Sequence, residues 1–513
     1  MPERFASGRH AGILVPLFSI PSRASWGIGE IADLPRLARW LEAASLDLVQ
    51  LLPVNEMADG QNSPYSAMSA MAIDPIYIAL GDVPEFMEEG GEASLSAEEQ
   101  QNLAHARHAS LVDYRTVRAL KARVLRDAFA RFQSASRPDR TSAFGDFQSR
   151  EAWWLDDYAL FRALHAENGS RYWREWEPGL RDRDQEALAK ARERLSPSIR
   201  YYAWLQWVAD EQWQRARAAC GEAGIFGDFP FIVSRDSADV WARQHEFLVD
   251  VSVGVPPDAF SETGQDWGLP GYRWDVVERN GYEWLRQRAR RCASLFDGFR
   301  VDHLVGFYRT YIREPDGTTR FEPPDEPSQL AQGERVLALF RESGAEIIAE
   351  DLGTVPDFVR ESLARVGVPG LKVMRWERDW HTDGQPFREP ASYPENSVAT
   401  AGTHDTETLA EWWNQAPREE RIKACKLSAL RRCTPDEPFS GRVRDALLRA
   451  LFEARSRLRL VPIQDVFGWA DRVNTPAVVD DVNWTWRLPW PVEDLAREAL
   501  ATDRAAFLRA LQS

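Results

Sequence analysis

Cysteine is scarce in this chain: Cys220, Cys292, Cys425 and Cys433 are the only four in 513 residues, and none forms a CxxC pair. Such spacing excludes a disulfide scaffold and a thiolate metal site, and it fits a reducing compartment. No run of about eighteen apolar residues occurs, so no transmembrane helix is expected. The opening decapeptide MPERFASGRH lacks the charged-then-apolar pattern of a signal peptide, and a cytoplasmic protein is expected. A basic excess is missing too, with a formal charge of −16 and a pI near 5.2. Nucleic acid and anionic membranes are therefore excluded as partners, since both select basic patches, and a neutral ligand is favoured. The glycine-containing stretch 25–29 has neither the P-loop lysine nor the Rossmann spacing. No nucleotide motif appears elsewhere, and no cofactor is implied.

Tryptophan is what the chain has in abundance, with 21 residues. Its flat apolar face and single N–H donor match a sugar ring, which has an apolar face and a polar rim. Most of the 21 are nonetheless expected to fill the core, which 44% hydrophobic residues can build.

Short apolar runs near residues 14, 50, 228, 300, 348, 373, 400 and 461 read as eight strands, most of them separated by helical periodicity. Eight strands with intervening helices predict a (β/α)8 TIM barrel carrying large, mostly helical insertions, with its functional groups at the C-terminal strand ends. Residues 1–513 then form a single catalytic barrel. Helical patterns at 97–108, 111–133, 153–167, 182–195 and 198–219 place a mostly helical insertion at 87–223, between strands two and three. Its clustered tryptophans (Trp153, Trp154, Trp173, Trp176, Trp204, Trp207, Trp213) are expected in the core. A second insertion, 234–297, carries the Pro- and Gly-rich stretch 255–270, whose length suits a lid.

The stretch DGFRVDH at 297–303 reads as a buried strand entering a loop. Side chains alternate along a strand, so Arg300 and Asp302 face the same way. The guanidinium is expected to lower the carboxyl pKa and keep Asp302 ionised. Taken alone, the pair reads equally as a structural ion pair or as chemistry. Asp228, inside an apolar run, needs a partner and is either a ligand-binding or a structural acid. Tyr65 follows strand two in the stretch NSPYS and is either a sugar contact or an ordinary loop tyrosine.

Glu350 and Asp405 finish two further strands, so a barrel brings them to Asp302. Paired carboxylates at one site suit glycosyl transfer: one attacks the anomeric carbon while the other protonates the leaving oxygen. A third can bind hydroxyls and favour ring distortion. Arg300 and His404 would orient the acids. Three carboxylates could instead hold a metal, but Arg and His neighbours rather than further oxygen ligands weigh against it, and no metal is expected.

These motifs resemble the 4-α-glucanotransferase family (amylomaltase or disproportionating enzyme, glycoside hydrolase family 77 of the α-amylase clan). The similarity runs nearly end to end, through SWGIG at 25–29, SPYS at 63–66, PPDAFSETGQDWG at 256–268, FRVDH at 299–303, AEDLG at 349–353, THD at 403–405 and NWTWR at 483–487. The resemblance implies Asp302 as nucleophile, Glu350 as general acid/base and Asp405 as transition-state stabiliser. It implies Arg300 and His404 lining the donor subsite and glucan contacts at Tyr65, Asp228, Gln265 and Trp267. Asn474 and Asn483 sit in segments resembling further family positions. Implied partners are maltooligosaccharides or other α-1,4-glucans as donor, and glucose or a maltooligosaccharide as acceptor. An α-glucan hydrolase of the same clan and a non-catalytic glucan-binding protein are the alternatives. The chain departs from the family pattern at Thr406 and Glu407, at Leu269 and at Ala477. These departures bear on acceptor preference, not on the three acids.

Overall fold

The apolar runs pair in parallel because helices fill the connections between them and cover the outer face. In the computed structural model, which describes residues 4–512 apart from 6, 59, 136, 258–263, 477 and 479, twelve named strands are present. They are β1 (His10–Leu14), β2 (Leu48–Gln50), β3 (Gly224–Phe229), β4 (Phe247–Val255), β5 (Gln265–Tyr272) and β6 (Gly298–Val301). The chain continues with β7 (Thr310–Arg313), β8 (Thr319–Glu322), β9 (Glu346–Ala349), β10 (Gly370–Val373), β11 (Ser397–Thr400) and β12 (Leu458–Pro462). Eight of them close a barrel in the order β1-β12-β11-β10-β9-β6-β3-β2. Closure is parallel, His10 opposite Leu458 and Leu14 opposite Pro462. All eight expected strands are the barrel strands. Several end sooner than their apolar runs, as at Gln50 and Phe229, because Pro53 and Pro230 follow and proline cannot donate to a ladder.

Alternation along the strands decides what lies inside. Leu48, Phe226, Ile348, Leu371, Val398, Leu458 and Leu460 form an interior cluster with Phe5, distinct from the larger core between barrel and helices. Phe5 packs edge-on against Phe226 at 5.1 Å. Two residues further along β3, β6 and β9, the inward positions become polar: Asp228 follows Phe226, Arg300 and Asp302 follow Gly298, and Glu350 follows Ile348. An apolar plug thus floors the site.

Between β2 and β3 the described residues form seven α-helices, including Tyr114–Ser134, Pro138–Glu167 and Ser196–Ala219. The second of these is 30 residues long and starts with proline, whose missing N–H costs nothing at a first helical position. Trp154, Trp173, Trp176, Trp204, Trp207 and Trp213 are buried there, while Trp153 is exposed.

The stretch 255–270 differs from its reading as one long loop. Its second part, from Gln265, is strand β5, antiparallel to β4 in a four-stranded sheet ordered β5-β4-β7-β8. Pro256, Pro257, Gly264, Gly268 and Pro270 hide the strand from a composition-based reading. Pairing survives through register shifts beside Val253, where irregularity lets the glycine and proline positions fit. Residues 258–263 of the expected lid, and Ala477, lie outside the described residues.

Candidate active site

Arg300 is fixed by its place on β6: buried, facing inward, with charged groups on both sides. Its Nη1 and Nη2 donate to Asp302 Oδ1 at 3.0 and 2.6 Å, and its Nε lies 3.5 Å from Asp228 Oδ1. The expected shared orientation of Arg300 and Asp302 is therefore present. The expected low proton affinity of Asp302 is not. Burial pushes its carboxyl up to about 6, overriding the pull of Arg300, and the negative charges of Asp228 and Asp405 add to the rise. One guanidinium shared between two carboxylates in a desolvated site cannot do for each what it does for one in water.

Glu350 begins the loop after β9. Its carboxylate accepts the backbone N–H of His303 at 2.7 Å on Oε2 and of Leu352 at 3.0 Å on Oε1. Burial nevertheless raises it to about 7, with the negative charge of Asp302 adding to the rise and Arg300 opposing it. Asp405 lies five residues beyond the end of β11. Burial works against its ionisation, but His404, 3.2 Å away, and the Nδ2 of Asn474, donating at 2.6 Å, hold it down to about 2. The segment after β12 completes this clasp: Arg472 Nη2 donates to the Asp405 carbonyl at 2.9 Å, and the Asn474 N–H to the His404 carbonyl at 3.2 Å. Asp302 and Asp405 side chains remain 29% and 42% exposed, so both open to the cleft although protein surrounds them on their other sides.

Tyr65 bridges two walls. Its hydroxyl donates to Asp228 Oδ2 at 2.5 Å and lies 3.1 Å from His404 Nε2, and its ring stacks on His404 at 5.3 Å and 21°. Trp484 closes the group, 5.7 Å from Tyr65 and 5.6 Å from His404. Burial drives the Tyr65 phenol well above its usual range, so it stays a donor.

The remaining expected residues sit further out. Trp267 reaches the group through the His303 ring, edge to face at 4.7 Å. Gln265 is exposed beside it and accepts from the Trp267 indole at 3.1 Å. The Asn483 side chain is spent on its own loop, accepting from Thr475 N–H and donating to the Val478 carbonyl at 2.8 Å. Sequence reasoning passed over Trp484, Arg472 and His303. The first and last stand beside assigned positions in NWTWR and FRVDH, whereas Arg472 carried no signal, because its role is a bond to a main-chain carbonyl.

The arrangement has one carboxyl that stays ionised at any neutral pH, and two buried ones, Asp302 and Glu350, that feel each other's charge and that of Arg300. That is a set able to attack, protonate and stabilise around one sugar ring. Among the described residues, no group of three or more His, Cys, Asp or Glu is disposed to hold a metal ion.

A family model described as 4-alpha-glucanotransferase matches residues 15–493. A 4-alpha-glucanotransferase from Thermus thermophilus is 35% identical over 94% of this chain and 95% of its own length. One from Chlamydia muridarum is 31% identical over 97% and 94%. Among solved structures, the amylomaltase from Streptococcus agalactiae in complex with acarbose superposes with a TM-score of 0.83 at 29% identity, covering 98% of this chain and 99% of that one.

Proposed function

The chain belongs to the 4-alpha-glucanotransferase family, glycoside hydrolase family 77, and from that premise we propose how its residues divide the work. The enzyme moves a segment of an α-1,4-glucan from a donor to the 4-hydroxyl of an acceptor by a retaining double displacement. One observation supports the division of roles most: three carboxylates that follow three strand ends all lie within the electrostatic reach of Arg300, and burial and hydrogen bonding set their proton affinities apart, at about 6, about 7 and about 2.

Asp302 is the nucleophile. It gives up its proton before Glu350 does, and Arg300 fixes one of its oxygens while the other is free to reach the anomeric carbon. Glu350 keeps its proton and delivers it to the leaving glycosidic oxygen. As the bond breaks, positive charge spreads over the ring, and Asp405, ionised throughout, stabilises it and accepts sugar hydroxyls. A covalent ester joins Asp302 to the sugar. Glu350, now ionised and held by two N–H donors, removes the proton from the acceptor 4-hydroxyl, which attacks and releases Asp302. Tyr65, Asp228 and His404 grip the donor ring from the walls. Gln265 and Trp267, on the β5 arm, serve the acceptor side, Asn474 holds Asp405, and Asn483 shapes the loop beneath.

The donor is a maltooligosaccharide or another α-1,4-glucan, and the acceptor glucose or a maltooligosaccharide; the aromatic group of Tyr65, His404 and Trp484 beside the acids supports a sugar substrate. Residues 1–513 act as one catalytic barrel, with 87–223 and 234–297 as insertions and 255–270 as the acceptor-side lid. Free thiols at Cys220, Cys292, Cys425 and Cys433 support a reducing, cytoplasmic setting. Among the described residues, no helix is long and apolar enough to cross a membrane. Incubation with maltotriose should yield glucose and a ladder of longer maltooligosaccharides. A rise in reducing ends with no longer products would mean hydrolysis.

A further inference from the structure

His303 carries a side chain yet holds φ at +43°, in the left-handed region that residues with a Cβ avoid. Backbone held in this region at a site marks a constraint supplied by the surroundings. Here the surroundings are two rings. The His303 imidazole is wedged between Phe231, at 5.7 Å and 69°, and Trp267, at 4.7 Å and 86°. The unusual turn has one visible product: the His303 N–H points at Glu350 Oε2, 2.7 Å away, while the next N–H, of Leu304, donates to the Glu350 main-chain carbonyl at 3.2 Å. Phe231 belongs to the loop after β3. Trp267 belongs to β5, in a different sheet from the barrel.

We propose that His303 is a positioning residue that ties the placement of the β5 arm to the acid/base Glu350, its ring clamped by Trp267 and its backbone N–H orienting the carboxyl. The proposal rests on the reading of Glu350 given above. The imidazole takes no proton in this role: burial, with Arg309 nearby, holds its proton affinity down to about 4, so it packs as a neutral ring. The charged groups facing Glu350 itself are Arg300 and Asp302, both from the end of β6. An acceptor sugar lying along the arm would hold Trp267, and through it the turn, in place when Glu350 must take the acceptor's proton. A displaced arm frees the turn, and the carboxyl loses one of its two N–H donors.

The test separates proton transfer from everything else. With α-maltotriosyl fluoride as donor and azide as acceptor, neither half-reaction needs Glu350. Fluoride leaves with the bonding pair as Asp302 forms its ester, and an azide nitrogen then attacks the anomeric carbon and releases the Asp302 carboxylate. His303→Ala should lower maltotriose turnover by about tenfold to a hundredfold, part of what a general acid/base contributes. In the fluoride–azide assay the same variant should run within about threefold of the parent, since its fault lies in proton transfer. Glu350→Gln, measured alongside, should likewise recover. If Glu350→Gln recovers and His303→Ala does not, the proposal is overturned while the role of Glu350 stands. If His303→Ala loses nothing on maltotriose, the proposal is also overturned. If Glu350→Gln fails to recover, the acid/base assignment falls and takes the proposal with it. Should His303→Ala not fold, His303→Gly carries the same comparison, because glycine adopts φ +43° without strain.

Discussion

In the proposed division of roles Asp302 and Glu350 hold opposite protonation states at once, and their surroundings give only a narrow window for it. Burial raises the first to about 6 and the second to about 7. Activity should therefore fall as pH drops through about 6, where the nucleophile is protonated, and fall again above about 7, where the acid is lost. A bell in kcat/KM with limbs near those two values, read as properties of the pair, is the expected outcome; a flat profile between pH 5 and 9 would contradict it. Asp405, held near 2, contributes neither limb. The same burial costs stability. A carboxyl with its folded-state pKa raised stabilises the fold below its unfolded value, and that contribution is lost as pH rises through the folded one. Glu350→Gln removes this loss, so its melting temperature should gain on the parent's as pH goes from 5 to 8. Turnover of the same variant should fall by roughly a thousandfold or more. At this scale the sequence was informative about identity and less so about electrostatics. Arg300 beside Asp302 was legible from strand alternation. That burial would outweigh the guanidinium was not, because desolvation comes from residues far along the chain.

The elements show the same division. Eight apolar runs were legible as strands because parallel barrel strands are buried on both faces and interrupted by polar loops. The four-stranded sheet of β4, β5, β7 and β8 was not, since proline and glycine mask β5 and the pairing of β4 with β7 joins residues far apart in sequence, such as Ser252 and Arg313. That sheet matters because it carries Trp267 to the site. Removing the indole should weaken the hold on the acceptor more than on the donor. Trp267→Ala is expected to cut glucosyl transfer between maltooligosaccharides severalfold, the scale of one aromatic contact, and to raise the share of hydrolysis. Chromatography of maltotriose products against reducing-end release reads both; an unchanged transfer-to-hydrolysis ratio would remove the arm from acceptor selection.

For the molecule as a whole, the helical segment between β2 and β3 is tied to the barrel by buried charge as well as by tryptophan. Lys121 Nζ lies 2.6 Å from Glu30 Oε1 and donates to the carbonyls of Ile76 and Ile78. Both side chains are almost fully buried, and burial raises Glu30 to about 7 despite the lysine. Lys121→Met should cost about 3–5 kcal/mol at pH 8, where Glu30 loses its buried cation and must either stay charged without it or take up a proton. The cost should shrink at pH 5, where Glu30 can take up a proton. Denaturant unfolding at the two pH values checks this, and an equal loss at both would mean that packing rather than charge is at stake. In the proposed mechanism three carboxylates from distant strand ends meet one sugar, and the central question is which of them bonds to it. The most direct measurement is to trap the ester with a 5-fluoro-α-glycosyl fluoride and locate the label by peptide mass spectrometry. The label is expected on the peptide containing Asp302 and absent from Asp302→Asn; a label on Glu350 or Asp405, or no covalent adduct while turnover is blocked, would rule Asp302 out as the nucleophile.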